Sequence, residues 1–354
     1  MAARGSPLAR ELAAVYALLI AYATLHPFTG WRDQGLSPFA WLAIWPKVFL
    51  SGDLTFNLLA YVPLGMLLVW AMFPAVRGVL AVILAMLAGL ALSCALESLQ
   101  SYLPSRIPSL ADFSTNGLGA LVGAILGAML APGLLERGAL KNMSDAWFGT
   151  RTPRALILAG LWLFASLYPQ SMLFGHGNLL DYFGPVSGYP FTPAEFARVE
   201  AAVTAASLFA AGTLLAASVT PGAPRLVLLI LFVLAGCAVR TLSQTILFTA
   251  DLALAWLTPG AQRGLMFGSV ALLAAIAMPR AMQLALVAIA VTFAAVVVNL
   301  APANPYYAST VAALNPGRFL NFNGLTQAVA ALWPYLAAIY VMFALGQRNQ
   351  GARS

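Results

Sequence analysis

Three carboxylates, one guanidinium and three amides recur in the first third of the chain at spacings that could build a binding site. They are Asp53, Asn57, Glu97, Gln100, Arg106, Asp112 and Asn116. The two Asp–Asn pairs are spaced i, i+4, so each pair shares one face of a helix. Charged side chains in or near a membrane span cost about 2.5–3.5 kcal/mol each. Seven polar groups gathered in this way therefore need an explanation.

Two explanations stay open for these residues. In the first, Asp53 and Asp112 are helix N-caps and Arg106 forms a loop salt bridge. In the second, the helix ends meet and the side chains form a ligand site. Glu97 favours the second explanation, because it lies inside a long apolar run and cannot cap its own helix.

A second polar set lies later in the chain. Residues Arg240, Gln244 and Asp251 fall at about 0°, 40° and 20° around one helix, so they share a face. A buried arginine needs a partner, and the sequence offers Asp251, Glu97 or Asp53 for an internal ion pair. Arg318 stands among asparagines just before the last apolar run and could help to bind a phosphate or carboxylate.

The composition shows which solvent surrounds these residues. Apolar residues make up 61% of the 354 residues and charged residues only 8%, whereas soluble domains have about a quarter charged. The chain is therefore expected to lie in lipid. Its 18 basic residues are scattered singly, which argues against nucleic-acid binding. No metal or cofactor motif is present, the two cysteines are interpreted as buried thiols, and the two histidines as surface or interfacial residues.

Apolar runs of about 20 residues predict an all-α, polytopic bundle of about ten transmembrane helices. The first is interpreted as an uncleaved helix rather than a signal peptide, and residues 38–50 as a short interfacial helix. The expected spans are 8–27, 53–73, 78–100, 113–132, 154–174, 197–219, 225–249, 263–279, 280–300 and 325–346.

The loops suggest orientation and domain organisation. With both termini cytoplasmic, eleven Lys and Arg residues face inward and seven outward, the bias found in membrane proteins. The expected organisation is a four-helix domain at 1–132, a cytoplasmic linker at 133–153 and a six-helix domain at 154–354. Gly119, Gly123 and Gly127 form a small-residue ridge that predicts close helix packing.

The segments Asp53–Gly65 and Glu97–Gly123 resemble VanZ-like membrane proteins, over about residues 10–132. Their patterns read D-x-x-x-N…P-x-G and E-x-x-Q…R…D-x-x-x-N-x-x-G. The matching residues are Asp53, Asn57, Pro63, Gly65, Glu97, Gln100, Arg106, Asp112, Asn116 and Gly119. The resemblance implies a multi-pass protein of the bacterial cytoplasmic membrane. It also implies a link to glycopeptide antibiotic resistance, but no molecular activity.

Three functions compete at this stage. The first is binding or translocation of a membrane lipid or a lipid-linked cell-wall precursor, with the arginines engaging its anionic group. The second is an intramembrane enzyme in which Asp53, Glu97 and Asp112 hold Mg²⁺ against a lipid phosphate. The third is a structural or accessory subunit whose polar groups lock helices together.

Overall fold

The computed structural model describes residues 6–43, 51–136, 139–148, 153–184, 192–248, 250–301 and 320–351. Within these ranges the regular secondary structure is helical, and an isolated bridge between Phe148 and Val219 is the sole strand-like pairing there. The chain divides into two compact units, Met1–Asp145 (unit 1) and Ala146–Ser354 (unit 2). The division falls inside the segment interpreted as a linker.

Unit 1 contains four long helices and the start of a shorter one. These are α1 (Pro7–Leu25), α2 (Ser51–Met72), α3 (Gly78–Gln100), α4 (Leu110–Ala131) and α5 (Ala139–Trp147). Within the segment interpreted as an interfacial helix, a single 3₁₀ turn spans Ala40–Ala43. Residues 44–50 of that segment lie outside the described part of the chain.

Helices α2 and α4 pack backbone to backbone along the glycine ridge. A Cβ atom placed on Gly123 would lie 1.9 Å from the carbonyl oxygen of Val62, and one on Gly119 would lie 2.3 Å from that of Leu58. Gly65 of α2 makes the reciprocal approach, at 2.0 Å from the carbonyl oxygen of Ala120. The prediction that the ridge serves packing is confirmed, because any side chain at these positions would force the helices apart.

Unit 2 is built around α8, the most buried of the long helices. Its helices are α6 (Pro153–Ala165), α7 (Leu180–Phe183), α8 (Pro193–Ala216), α9 (Arg225–Leu247), α10 (Pro259–Ile276), α11 (Arg280–Leu300) and α12 (Leu320–Gly351). Leu208 and Leu214 of α8 join Trp162, Val287 and Trp333 in one apolar core. Gly264 and Gly268 of α10 pack against α8 much as the α4 glycines pack against α2.

The expected span at 154–174 is wrong. Helix α6 ends at Ala165, and the following residues 166–179 are non-helical but largely buried. Pro169 explains the early end, because proline lacks an N–H and disfavours helical geometry in the residue before it. The carbonyl groups of this segment bind to side chains of other helices: Thr204 donates to Leu173 at 2.9 Å, and Ser243 donates to Leu167.

In the described part of the chain, eight helices are long and apolar enough to cross a membrane. They correspond to eight of the ten expected spans. Helix α6 has only 13 residues, and α10 carries the polar residues Gln262 and Arg263 near its start; neither helix is among the eight. The all-α class and the multi-pass membrane character therefore stand, whereas the expected count of ten spans is not confirmed.

Candidate functional site

The polar residues of unit 1 gather where the C-terminal ends of α1 and α3 meet the N-terminal parts of α2 and α4. Gln100 donates from Nε2 to the carbonyl of Thr24 at 3.0 Å, which ties α3 to α1. We call this region the polar end; it consists of Asn57, Tyr61, Ser93, Glu97, Gln100, Arg106, Asp112 and Asn116. The backbone of Asp53 lies in the first turn of α2, but its side chain lies outside the described part of the chain.

Glu97 belongs to the last turn of α3, and its side chain lies against the N-terminus of helix α4. Its side chain is 3% exposed, and its Oε2 accepts a hydrogen bond from the backbone N–H of Ser109 at 2.9 Å. The positive end of the α4 dipole favours a carboxylate at this position. Glu97 also interacts electrostatically with Asp112, so two acidic groups share the polar end.

Helix α4 begins three residues earlier than expected. Ser109 is its N-cap and accepts a hydrogen bond from Ala111 N–H at 3.1 Å. The explanation that Asp112 caps this helix is therefore wrong. Its Oδ1 instead accepts a hydrogen bond from Asn57 Nδ2 at 2.8 Å, which joins α4 to α2.

A second layer of polar groups lies one turn deeper. Asn116 donates from Nδ2 to Ser93 Oγ at 2.9 Å, and the Tyr61 hydroxyl also forms a hydrogen bond with Ser93. Asn116 is 6% exposed, and its Oδ1 has no hydrogen-bond partner among the described residues. Leaving a buried acceptor unpaired costs about 1–3 kcal/mol, so a donor to this oxygen would be stabilising.

Arg106 closes the polar end against the last turn of α1. Its Nε donates to the carbonyl of His26 at 3.2 Å, and its Nη2 donates to the same oxygen. Burial, and next the charge of Arg106, lower the pKa of His26, so this imidazole is neutral at neutral pH. Burial also lowers the pKa of the guanidinium from its ordinary value, without removing its charge at neutral pH.

Arg240 organises the second polar set, in unit 2. It is 4% exposed, and it donates from Nη1 to the carbonyl of Tyr168 and from Nη2 to that of Gln170, each at 2.6 Å. Gln244 is also buried, and its Oε1 has no hydrogen-bond partner among the described residues. The guanidinium thus fastens the non-helical segment 166–179 to α9.

The remaining residues assigned to this set are Asp251 and Arg318. Asp251 does not continue the face of α9, because the helix ends at Leu247 and Asp251 is exposed in a separate 3₁₀ turn, Ala250–Leu252. The prediction that it shares a face with Arg240 is wrong. Arg318 lies outside the described residues.

Unit 2 also buries a carboxylate that the sequence argument missed, Glu200. Glu200 is 3% exposed, accepts a hydrogen bond from Thr258 Oγ1 at 2.6 Å and interacts electrostatically with Arg240. An available signal was its position inside the apolar run of α8. The spacing of Gly260, Gly264 and Gly268 was a second signal, because it marks a helix that packs closely.

His176 is buried, so its interpretation as a surface residue is wrong. Its ring is 2% exposed and lies between Trp162 and Trp333, with centroid distances of 5.8 and 5.7 Å. Neither ring nitrogen has a hydrogen-bond partner in the described ranges. Burial, and next the charge of Arg240, lower the pKa of His176 to about 3.

The metal-binding alternative depends on three carboxylates in one place. Among the side chains that the structure describes, no group of three or more His, Cys, Asp or Glu residues could hold a metal ion. The Asp53 side chain is not one of those described.

A comparison with protein families finds a match in the first unit. Residues 10–131 match the family model described as VanZ/LLP1, which confirms the resemblance seen in the sequence. The match covers most of α1, all of α2 to α4 and the whole polar end, so this part of the chain is similar to VanZ/LLP1 proteins, while the helices of unit 2 lie beyond it. No curated protein and no solved structure matches the chain.

Proposed function

We propose that this VanZ-like membrane protein binds or translocates an envelope lipid, or a lipid-linked cell-wall precursor, through the polar end of unit 1. One observation carries the proposal: ionisable and amide side chains from several helices meet at one end of a bundle whose helices are long and apolar enough to cross a membrane. Polar and ionisable side chains within a membrane span cost free energy on insertion, and they commonly mark the path of a ligand.

The chemistry of the polar end suits a lipid headgroup. Arg106 is partly exposed and supplies the fixed positive charge that a phosphate needs. Asn57 and Asp112 are partly exposed as well, which gives a headgroup access towards the buried Glu97. The apolar helices around the site leave the acyl or prenyl chains in the bilayer.

The location forms part of the same proposal. The Lys and Arg distribution supports cytoplasmic termini, and we propose that the polar end lies at the outer surface of a bacterial cytoplasmic membrane. Binding of a cell-wall precursor there would connect the protein with glycopeptide resistance, as the family resemblance implies. If deletion and overexpression in the host leave teicoplanin susceptibility unchanged, the resistance part is wrong.

Lipid binding can be tested on the purified full chain by native mass spectrometry with polyprenyl phosphate and phosphatidylglycerol. Arg106→Met should weaken retention of both lipids by about tenfold or more, because a charge-assisted hydrogen bond contributes about 1.5–3 kcal/mol. Arg77→Met is the matched control. It removes the same charge at the opposite end of unit 1, where Arg77 pairs with Glu136 at 3.1 Å. Equal retention by wild type and both variants would contradict the proposal.

A further inference from the structure

A groove of about 360 Å³ lies in unit 2 between α7, the C-terminal part of α11 and the middle of α12. Helices α11 and α12 are both long and apolar enough to cross a membrane. Val296 of α11 and Phe183 of α7 line the groove and are 50% and 84% exposed, so the groove opens to the outside of the unit. Its opening is therefore continuous with the exposed faces of two membrane-spanning helices.

A buried peptide group lies behind the groove, where Pro334 interrupts the hydrogen bonding of α12. Proline has no N–H, so the carbonyl of Ala330 loses the donor that a regular helix would supply. The N–H of Gly177 donates to that carbonyl at 2.8 Å instead. The Gly177 peptide is thereby held against α12, and its own carbonyl points to the side chains that line the groove.

Among the described residues that line the groove, the two polar side chains are already hydrogen-bonded to protein. Asn299 donates from Nδ2 to the carbonyls of Gly177 and Ala295, both at 2.7 Å. Its Oδ1 accepts a hydrogen bond from the N–H of Leu179 at 2.8 Å. The Tyr335 hydroxyl donates to the Gly177 carbonyl at 3.4 Å. Because these polar atoms are already used, the groove suits an apolar occupant that needs no hydrogen bonds.

We propose that this groove binds one acyl chain of a membrane phospholipid. The size favours that occupant over a helix of another protein, because a single helical turn, about 10 Å wide and 5.4 Å long, already exceeds the volume of the groove. Lipid is already apolar, so the chain is held by packing contacts rather than by the hydrophobic effect. The inference goes beyond the proposed function and does not depend on the polar end.

Photolabelling of the purified full chain tests the proposal. The protein is loaded with a phospholipid that carries a diazirine near the end of one acyl chain, and loosely held lipid is washed away in detergent before irradiation. Mass spectrometry then locates the labelled residues. Labelling should be at least about threefold higher in the groove than at the exposed Ile289 of α11, because a chain in a groove contacts protein on several sides.

Variants assign the labelling to the groove. Val296→Trp fills its mouth and should reduce labelling there by about threefold or more, because the ring takes the space of the chain. Ile289→Trp is the matched control and should leave groove labelling unchanged, since Ile289 is 65% exposed and lies two turns earlier on nearly the same face of α11.

A second pair of variants keeps the test decisive if Val296→Trp does not fold. Phe183→Ala removes an exposed wall of the groove and should lower labelling by about half. Phe267→Ala removes an exposed ring of α10 outside the groove and should have no effect.

Three outcomes would overturn the inference. The first is groove labelling that neither Val296→Trp nor Phe183→Ala reduces. The second is labelling of the groove by a lipid with the diazirine on its headgroup but not by the acyl-chain form. The third is a lipid-free dimer in native mass spectrometry, since a second copy would then cover the groove. Arg106→Met tests the proposed function and should leave groove labelling unchanged, so the two proposals fail separately.

Discussion

Each unit places a buried glutamate of one helix against the N-terminus of another helix, but the charges near the two glutamates have opposite signs. Glu97 of α3 lies beside Ser109, the N-cap of α4, and Glu200 of α8 lies beside Thr258, the N-cap of α10. Both α4 and α10 present glycines to a neighbouring helix. In each unit the carboxylate is buried at a helix N-terminus, where the helix dipole favours a negative charge.

The difference lies in the second charge. Glu200 interacts with Arg240, of opposite sign, whereas Glu97 interacts with Asp112, of the same sign. Unit 2 also uses its guanidinium to bind the carbonyls of Tyr168 and Gln170. The comparison teaches that the same position at a helix start can hold a buried glutamate beside a positive or a negative charge. The like charge beside Glu97 supports the ligand site that we propose for unit 1.

The largest expected effect comes from removing the buried guanidinium of unit 2. Arg240→Met should lower the free energy of unfolding by about 3–5 kcal/mol, because it deprives the carbonyls of Tyr168 and Gln170 of their charged donor. Equilibrium unfolding of the protein in detergent micelles measures this. A loss below about 1 kcal/mol would contradict the role assigned to these two hydrogen bonds.

The next largest effect concerns the glycines at helix contacts, where the loss of stability on substitution by alanine should differ between the units. Gly123→Ala should cost about 1–3 kcal/mol and Gly264→Ala less. In unit 1 the new methyl would lie 1.9 Å from a backbone oxygen of Val62, whereas in unit 2 its nearest neighbour is the Thr204 Cβ at 2.5 Å. Thermal denaturation in the same detergent compares the two.

The matched controls for packing are Gly133→Ala in unit 1 and Gly160→Ala in unit 2. Neither position has an atom within 4 Å of an added Cβ, so both substitutions should change stability by less than about 0.5 kcal/mol. Equal losses at Gly123 and Gly133 would show that helix contact is not the cause.

Substitution of the two buried glutamates should have smaller effects on stability, and these effects should differ between the units. Glu200→Gln should destabilise by about 1–2 kcal/mol, because it weakens the hydrogen bond that the carboxylate accepts from Thr258. Glu97→Gln should change stability by less than about 1 kcal/mol, since the amide oxygen still accepts from Ser109 and repulsion from Asp112 disappears. If Glu97→Gln proves the more damaging, the contrast between the units fails.

The smallest effect concerns pH and the two histidines. The folded-state pKa of His176 is about 3, below its ordinary value of 6.5, so the unfolded chain binds the proton first. Its contribution to stability is complete above pH 6.5 and is lost as the pH falls from 6.5 towards 3. Between pH 7.5 and 6.0 the loss should be about 0.8 kcal/mol, and His176→Phe should abolish it.

His26→Phe provides the comparison for unit 1. His26 has a lowered pKa in a less buried position, so this variant should remove a smaller part of the pH dependence. Unfolding curves at the two pH values measure both variants, and a larger effect at His26 would reverse the expected order.

Local pattern in the sequence predicts the helices but not all of their contacts. Apolar runs predict most spans, since lipid leaves the backbone no alternative to helix, and i, i+4 spacing places each Asp–Asn pair on one face. The start of α4 was missed because Ser109 is an ordinary cap type hidden in a polar loop. The Glu200–Arg240 interaction joins residues 40 positions apart on different helices, and no local pattern specifies such pairing.

The non-helical segment after α6 has a consequence for biogenesis. Its carbonyls bind Thr204, Arg240 and Ser243, and the N–H of Gly177 donates to the carbonyl of Ala330 at 2.8 Å. All of these partners are translated after the segment itself. The backbone groups of the segment therefore lack these hydrogen-bond partners until α8, α9 and α12 have been inserted. A ribosome that stalls before residue 330 leaves a nascent chain that cannot complete it and that quality-control proteases can recognise.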